Sequence, residues 1–159
     1  MPGLLTHSPA DVLRRLLIDL GYGSEPATEF ENLPWPIYVG SEPPTPDNCI
    51  TLYDTGGTGY GFHMIDGERQ EKHGIQVRIR AVTYDVGYTK ACSLANALDT
   101  AIYFEKPRIG SNHYKVPQFA RTSDVLSLGQ APGGRQSKMG RGSRRQIFTI
   151  NGLLSVRAN

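Results

Sequence analysis

The sequence predicts an α+β fold, a mainly antiparallel or mixed β-sheet with two α-helices, at about 8–20 and 88–104, packed on it. Three observations predict it. Apolar residues recur at helical spacing in two separate segments. They alternate with polar residues over 74–84, and the last third of the chain consists of short β-prone runs divided by turns. A chain of 159 residues fits a single domain with one core. Its 18 glycines and 11 prolines are above average use and mark flexible loops at about 40–48, 55–73 and 129–145.

The first helix opens at Ser8-Pro9-Ala10-Asp11. Ser8 caps it, Pro9 takes the first helical position where its missing N–H costs nothing, and Asp11 faces the positive helix end. Leu13, Leu16, Leu17 and Leu20 then share one face, and Gly21 ends the helix. Beyond Leu33-Pro34-Trp35-Pro36, the run Ile37-Tyr38-Val39 is a short strand, and the prolines of 42–48 force an extended linker. Cys49 to Asp54 is a β-branched and aromatic strand that runs into the glycines of 56–61, read as a loop. Ile75, Val77, Ile79 and Ala81 alternate with Gln76, Arg78 and Arg80, as in a strand with one buried face. Gly87 opens the second helix, whose apolar face is Ala91, Leu94, Ala95, Leu98, Ala101 and Ile102, and Lys106-Pro107 closes it. Strands follow at Tyr114–Val116, Thr122–Leu128 and Gln146–Ile150; Asn151-Gly152 reads as a turn, with Leu153–Val156 pairing back as a last strand.

No stretch reaches the roughly 18–20 apolar residues that span a bilayer, and the first residues lack the basic and apolar regions of a secretory signal. Cys49 and Cys92 are either one disulfide or two small buried thiols, the latter suiting a reducing compartment. The net charge of +2 hides an asymmetry: residues 1–66 hold two bases against nine acids (−7), and residues 67–159 hold fifteen against six (+9). Either the fold interleaves these charges, or two faces of opposite sign remain for contact between identical subunits.

Candidate chemistry is sparse. Asp54-Thr55-Gly56 after an apolar strand matches the short signature of aspartic proteases, in which two aspartates share a proton; with one copy here, catalysis requires a two-fold dimer. The glycines of 56–61 lack the Gly-Lys-Ser/Thr ending of a phosphate-binding loop. His7, His63, His73 and His113 are scattered, with no metal-ligand spacing, so no metal and no cofactor is expected. Trp35, between two prolines, is either a core residue or an interface anchor. The segment 133–145 concentrates Arg135, Lys138, Arg141, Arg144 and Arg145 without an acid. It is either a solvated basic hairpin loop or an arm that orders on a polyanion or an acidic neighbour. Lacking aromatic stacking platforms, it would meet DNA only through phosphates, independently of sequence.

Taken in order, several segments form a familiar pattern: the capped helix ending Leu16-Leu17-Ile18-Asp19-Leu20-Gly21, the strand Ile37-Tyr38-Val39-Gly40, Pro46 to Gly57 with its Asp-Thr-Gly-Gly turn, Ile75 to Ala81, and the Ala-rich helix after Gly87-Tyr88. Over about residues 8–105 this order resembles the minor capsid and tail-terminator proteins of long-tailed bacteriophages. The resemblance implies a structural virion protein of the tail or neck, synthesised in the bacterial host cytoplasm, with no catalytic residues, cofactor or membrane partner. It implies a homo-oligomeric ring, usually a hexamer, that caps the tail tube and joins it to the head–tail connector or stopper protein, with genomic DNA passing through the bore. The five basic residues of 133–145 are then expected in the bore or against an adjacent ring. The alternatives are another connector or neck completion protein, a dimeric aspartic protease using Asp54, and a small basic nucleic-acid-binding module.

Overall fold

The computed structural model describes residues 5–26, 34–62, 69–131 and 145–158. Helix α1 spans Pro9–Asp19, and its Ser8 cap accepts a hydrogen bond from the Asp11 N–H, as the Ser-Pro start predicts. Helix α2 spans Tyr84–Thr100. It starts and ends about four residues earlier than the sequence suggests. Thr83 is its cap, accepting from the Val86 N–H. Gly87, expected to precede the helix, lies inside its first turn and is buried, because a side chain there would run into the Phe148 ring and the Ala81 methyl. The far end is set by Tyr103–Glu105, which forms a strand instead of continuing the helix.

The sheet runs in the order β1 (Ile37–Val39), β2 (Cys49–Phe62), β3 (Arg69–Ala81), β8 (Arg145–Ala158), β6 (Asn112–Arg121), β4 (Tyr103–Glu105). The short β5 (Arg108–Ile109) pairs with β6, and β7 (Leu126–Ala131) pairs with β8. Among the described strands all pairings are antiparallel except β1 with β2, so the sheet is mixed and mainly antiparallel, as expected.

Two expectations about turns are corrected. The glycine-rich segment after Asp54 is no loop: β2 continues through it to Phe62, pairing with β3 down to Arg69, with irregular register at Thr55/Thr58 and Gly59/Phe62. Asn151-Gly152 is no turn either; it lies within the fourteen-residue strand β8. One edge of β8 pairs with β3 from Gln146 to Ser155. The other edge is shared, since β7 takes residues 145–149 and β6 takes 152–158. Residues 112–131 therefore form a single broken strand along β8, interrupted at 122–125 rather than running as a strand from Thr122. The handover occurs at Asn151: its carbonyl accepts from the Thr122 N–H, its own N–H donates to Ser123 Oγ, and its side-chain Oδ1 accepts from Gln76 Nε2. Gly152 sits beneath the buried Phe119 ring.

Period-two alternation sends Ile50 and Leu52, Ile75, Val77 and Ile79, and Phe148, Ile150 and Leu154 to one face of the sheet. Both helices pack there, α1 over β1, β2 and β5, and α2 over β8, β3 and β6. The core joins Val12, Leu13, Leu16 and Leu17 to Ala91, Leu94, Ala95 and Leu98 across this floor.

The opposite face carries Cys49 and Thr51, Arg78 and Arg80, Ile147 and Thr149. The parallel β1–β2 pair needs a connection that crosses over rather than a hairpin, and residues 40–48 provide it. Their backbone is held without forming a ladder. Arg80, 4% exposed, donates to the carbonyls of Pro46 (2.6 Å) and Asp47 (3.4 Å) and pairs with Glu42, which also faces Arg78. Arg145 pairs with Asp47 at 2.6 Å, and the Asn48 side chain accepts from the Val82 N–H. Pro43, Pro44 and Pro46 bring no N–H that would need a partner. These contacts bring acids of the first half of the chain to bases of the second, so part of the charge asymmetry is neutralised within the subunit.

Cys49 and Cys92 are both free, the first fully buried and the second half-buried. Burial pushes the Cys49 thiol up from 9.0 to about 11, against the partial opposing pull of Arg80. A pKa raised by folding contributes stability that is complete below the free thiol's ionisation and lost as pH rises through about 11. Iodoacetamide at mildly alkaline pH is expected to label Cys92 first and Cys49 only after denaturant is added; equal labelling rates in the folded protein would contradict the burial of Cys49. Replacing Gly152 by Ala is expected to destabilise by ~1–3 kcal/mol, since the new methyl meets Phe119 and the Ala120 carbonyl in a packed strand. A urea midpoint unchanged by Gly152→Ala would restore the turn reading.

Candidate functional site

The sequence-level candidates take structural positions. Asp54 lies within β2, opposite Ile75, and its Oδ1 accepts a hydrogen bond from the Ala10 N–H at 2.9 Å. Ala10 is the second residue of α1, so this carboxylate supplements Ser8 in satisfying the open donors of the helix start, where the macrodipole also favours negative charge. The Asp-Thr-Gly signature thus sits in a strand whose aspartate serves a helix, not in a catalytic turn.

Trp35 is half-buried and packs against the core from outside, with backbone in the left-handed region (φ 54°). The Lys90 ammonium lies 5.5 Å from its ring centroid and donates to the Tyr22 carbonyl at 2.6 Å. Burial lowers the Lys90 pKa, and the ring and carbonyl are what the charge receives in place of water. Of the five basic candidates, Arg135, Lys138, Arg141 and Arg144 lie outside the described residues. Arg145 is the first residue of β8, and its head group is held by Asp47.

An open cleft of about 550 Å³ separates α1 from the β5–β6 turn, with Arg14, Arg15, Asp19, Glu25 and Arg108 on its walls. Its charges answer each other: Arg14 pairs with Glu25 at 3.3 Å, and Arg15 with Asp19 at 2.7 Å and Glu25 at 3.6 Å. Among the described residues no group of three His, Cys, Asp or Glu side chains is arranged to hold a metal ion, and no helix is long and apolar enough to cross a membrane.

What the surface offers is exposed aromatic area at both ends of α2. At the start of the helix, Tyr84 and Tyr88, one turn apart, stack with ring centroids 5.9 Å apart and planes within 8°. Both lean on the buried Phe148, at 5.2 and 6.1 Å, yet remain 49% and 46% exposed. Phe148 pairs across to Ser127 of β7, whose Leu126, opposite Thr149 on the other face of the sheet, and Leu128 are also exposed. Beyond the other end of α2, Tyr103 and Phe104 meet edge to face at 4.7 Å and are 71% and 52% exposed. Neighbours in a regular strand point to opposite faces. Phe104 instead takes φ 53°, in the region that costs a non-glycine residue ~1–2 kcal/mol, and its ring lies against that of Tyr103. Sequence reading identifies none of these four residues as surface features, because aromatic residues in or beside an apolar-faced helix read as core.

The model of the bacteriophage tail terminator protein family matches residues 16–136, and no curated protein matches the chain. The match spans most of the chain, including α2, both aromatic pairs and seven of the eight strands in whole. The chain belongs to this family of structural, non-enzymatic phage proteins. In keeping with a structural role for its aspartate, Asp54→Ala is expected to lower stability by ~0.5–2 kcal/mol through the lost helix-start contact, with Asp54→Asn close to wild type. Thermal unfolding of the two variants checks this, and an unchanged midpoint for Asp54→Ala would remove the assigned role.

Proposed function

We propose that this tail-terminator family member forms a closed ring, of six copies by the family's pattern, that caps the tail tube and presents the surface joining the tail to the head–neck connector. The observation that carries the reading is the family match over residues 16–136. The fold supports it physically. The subunit keeps its core to one face of the sheet, ties its own crossover segment over part of the other face, and still leaves paired aromatic side chains exposed at two separated places. Beyond Lys72, where pairing with β8 ends, β2 and β3 continue as an antiparallel pair to Phe62 and Arg69. Heterologous contacts that close by rotation give a ring with a bore.

In this reading the segment holding Arg135, Lys138, Arg141 and Arg144 faces the bore or an adjacent ring, where passing DNA meets it through phosphates alone. Arg145 has a different task, fixing the crossover segment through Asp47.

The purified protein is expected to appear as hollow rings in negative stain, with mass photometry giving one dominant multiple of the subunit mass. A protein that stays monomeric with isolated tail tubes present would defeat the proposal. Replacing Arg135, Lys138, Arg141 and Arg144 by Gln, with Arg145 retained, is expected to leave folding and ring formation intact and to reduce head-to-tail joining or genome delivery. Normal infectivity of such particles would exclude the bore or adjacent-ring placement.

A further inference from the structure

We infer that the two exposed aromatic pairs are the two halves of one contact: Tyr84 and Tyr88 of one copy dock against Tyr103 and Phe104 of the next. This deepens the ring reading and rests on it, naming which surfaces of the subunit meet.

Four observations carry the assignment. First, the pairs carry apolar surface that the subunit leaves about half open or more. Tyr84 and Tyr88 are splayed over Phe148 with about half their surface still open, and Tyr103 and Phe104 extend from the edge strand β4. Large aromatics of this kind dominate interface energetics when they are desolvated. Second, Phe104 is held at φ 53°, a conformation that costs free energy and places its ring beside Tyr103. Third, their surroundings have opposite charge. Exposed Asp85 adjoins Tyr84, and Asp124 is paired with Arg121 at 3.6 Å; exposed Lys106, Arg108 and Lys115 accompany Tyr103 and Phe104, against half-buried Glu105 and exposed Asp99, the latter paired with Arg121 at 2.9 Å. Opposite fields align unlike faces and disfavour like ones, so each pair is steered away from its own copy and toward the other pair. Fourth, the pairs lie toward opposite ends of the seventeen-residue α2, a helix about 25 Å long at 1.5 Å per residue. Two different patches separated across the subunit define a head-to-tail contact, the type that generates rings.

The test uses full-length protein in two variants. Tyr84→Ser with Tyr88→Ser removes the first half; Tyr103→Ser with Phe104→Gly removes the second, the glycine also relieving the left-handed backbone. Sedimentation velocity follows each variant and their equimolar mixture from concentrations where the wild type assembles up to about a hundredfold higher, where a single contact without ring closure is populated. Each variant alone is expected to lose the ring, with about a tenfold or greater rise in the concentration needed for any association. The mixture is expected to give one-to-one dimers and nothing larger, since the intact half of each variant can meet only the intact half of the other. Because Tyr84 and Tyr88 also cover Phe148, Asp85→Lys serves as a second variant that leaves the core untouched; it is expected to weaken assembly at low salt and to have little effect at high salt.

The failure modes separate. If the wild type forms rings and either aromatic variant still does so, the assigned contact is wrong and the ring reading stands. Variants that are monomeric alone and remain monomeric when mixed overturn the pairing of these two faces. A wild type that does not self-associate under any condition overturns the ring and the contact together.

Discussion

The continuity of β8 is the constraint on which the rest of the molecule depends. This strand must run unbroken through Asn151 and Gly152 while its outer edge changes partner from β7 to β6. If the chain turned at 151–152, Phe148 and Ile150 would be separated from Leu154 and Val156. The floor under α2 would then be lost with them. Two features keep the strand intact. The backbone of Asn151 finds partners in Thr122 and Ser123, on the segment where β6 ends and β7 has yet to begin. Gly152 offers no side chain, so Phe119 can close over it. A buried backbone group without a partner costs about as much as a lost hydrogen bond, so the break at 122–125 is tolerated because it supplies partners to β8.

The two faces of the sheet are sealed by different physics. On the helix side, apolar burial is sufficient. On the other side the covering material is a proline-rich crossover with exposed carbonyls and few donors, and a buried arginine is the group that answers it. Arg80 supplies donors to two backbone carbonyls and charge to Glu42. Its interior position makes it a poor source of net stability, since desolvating a guanidinium offsets much of its attraction, yet deleting one partner from such a network costs about 3–5 kcal/mol. The effect is positional: the crossover is tied to one register over β3. Tyr38 and Tyr53, on this same polar face, have their hydroxyl pKa values raised by burial, consistent with a covered surface.

Local signals identified the elements whose causes are local. Ser8-Pro9 fixed the start of α1, alternation fixed β3, and the Leu and Ala spacing fixed the inner face of α2. Signals that depend on the neighbour across space misled. The glycines after Asp54 and the Asn-Gly pair are turn formers in isolation; within the sheet, cross-strand pairing overrides that preference. Gly87 was read as punctuation, whereas its reason is the Phe148 ring sixty-one positions later. The exposed aromatic surface was the least legible part. Tyr84, Tyr88, Tyr103 and Phe104 differ from core aromatics only in what fails to cover them, and that follows from where β7 and β4 end. The charge asymmetry was legible as composition, but the fold spends part of it internally on Glu42 and Asp47.

A ring built from one repeated contact has a particular energetic consequence. Each subunit that joins an open chain loses translational and rotational freedom and gains one interface; the step that closes the ring gains an interface with little further loss of that kind. A contact too weak to hold a dimer at low concentration can therefore hold a closed ring. Two pairs of partly exposed aromatic side chains, steered by a few opposed charges, suit such a contact: modest as a single interface, and cumulative around a circle. The subunit's core lies on the helix face and the crossover is tied over part of the polar face, so the aromatic pairs proposed for assembly sit at the margin of the core, toward the two ends of α2. In the proposed contact folding and closure are only partly separated: Tyr103 and Phe104 extend from an edge strand, whereas Tyr84 and Tyr88 also cover Phe148.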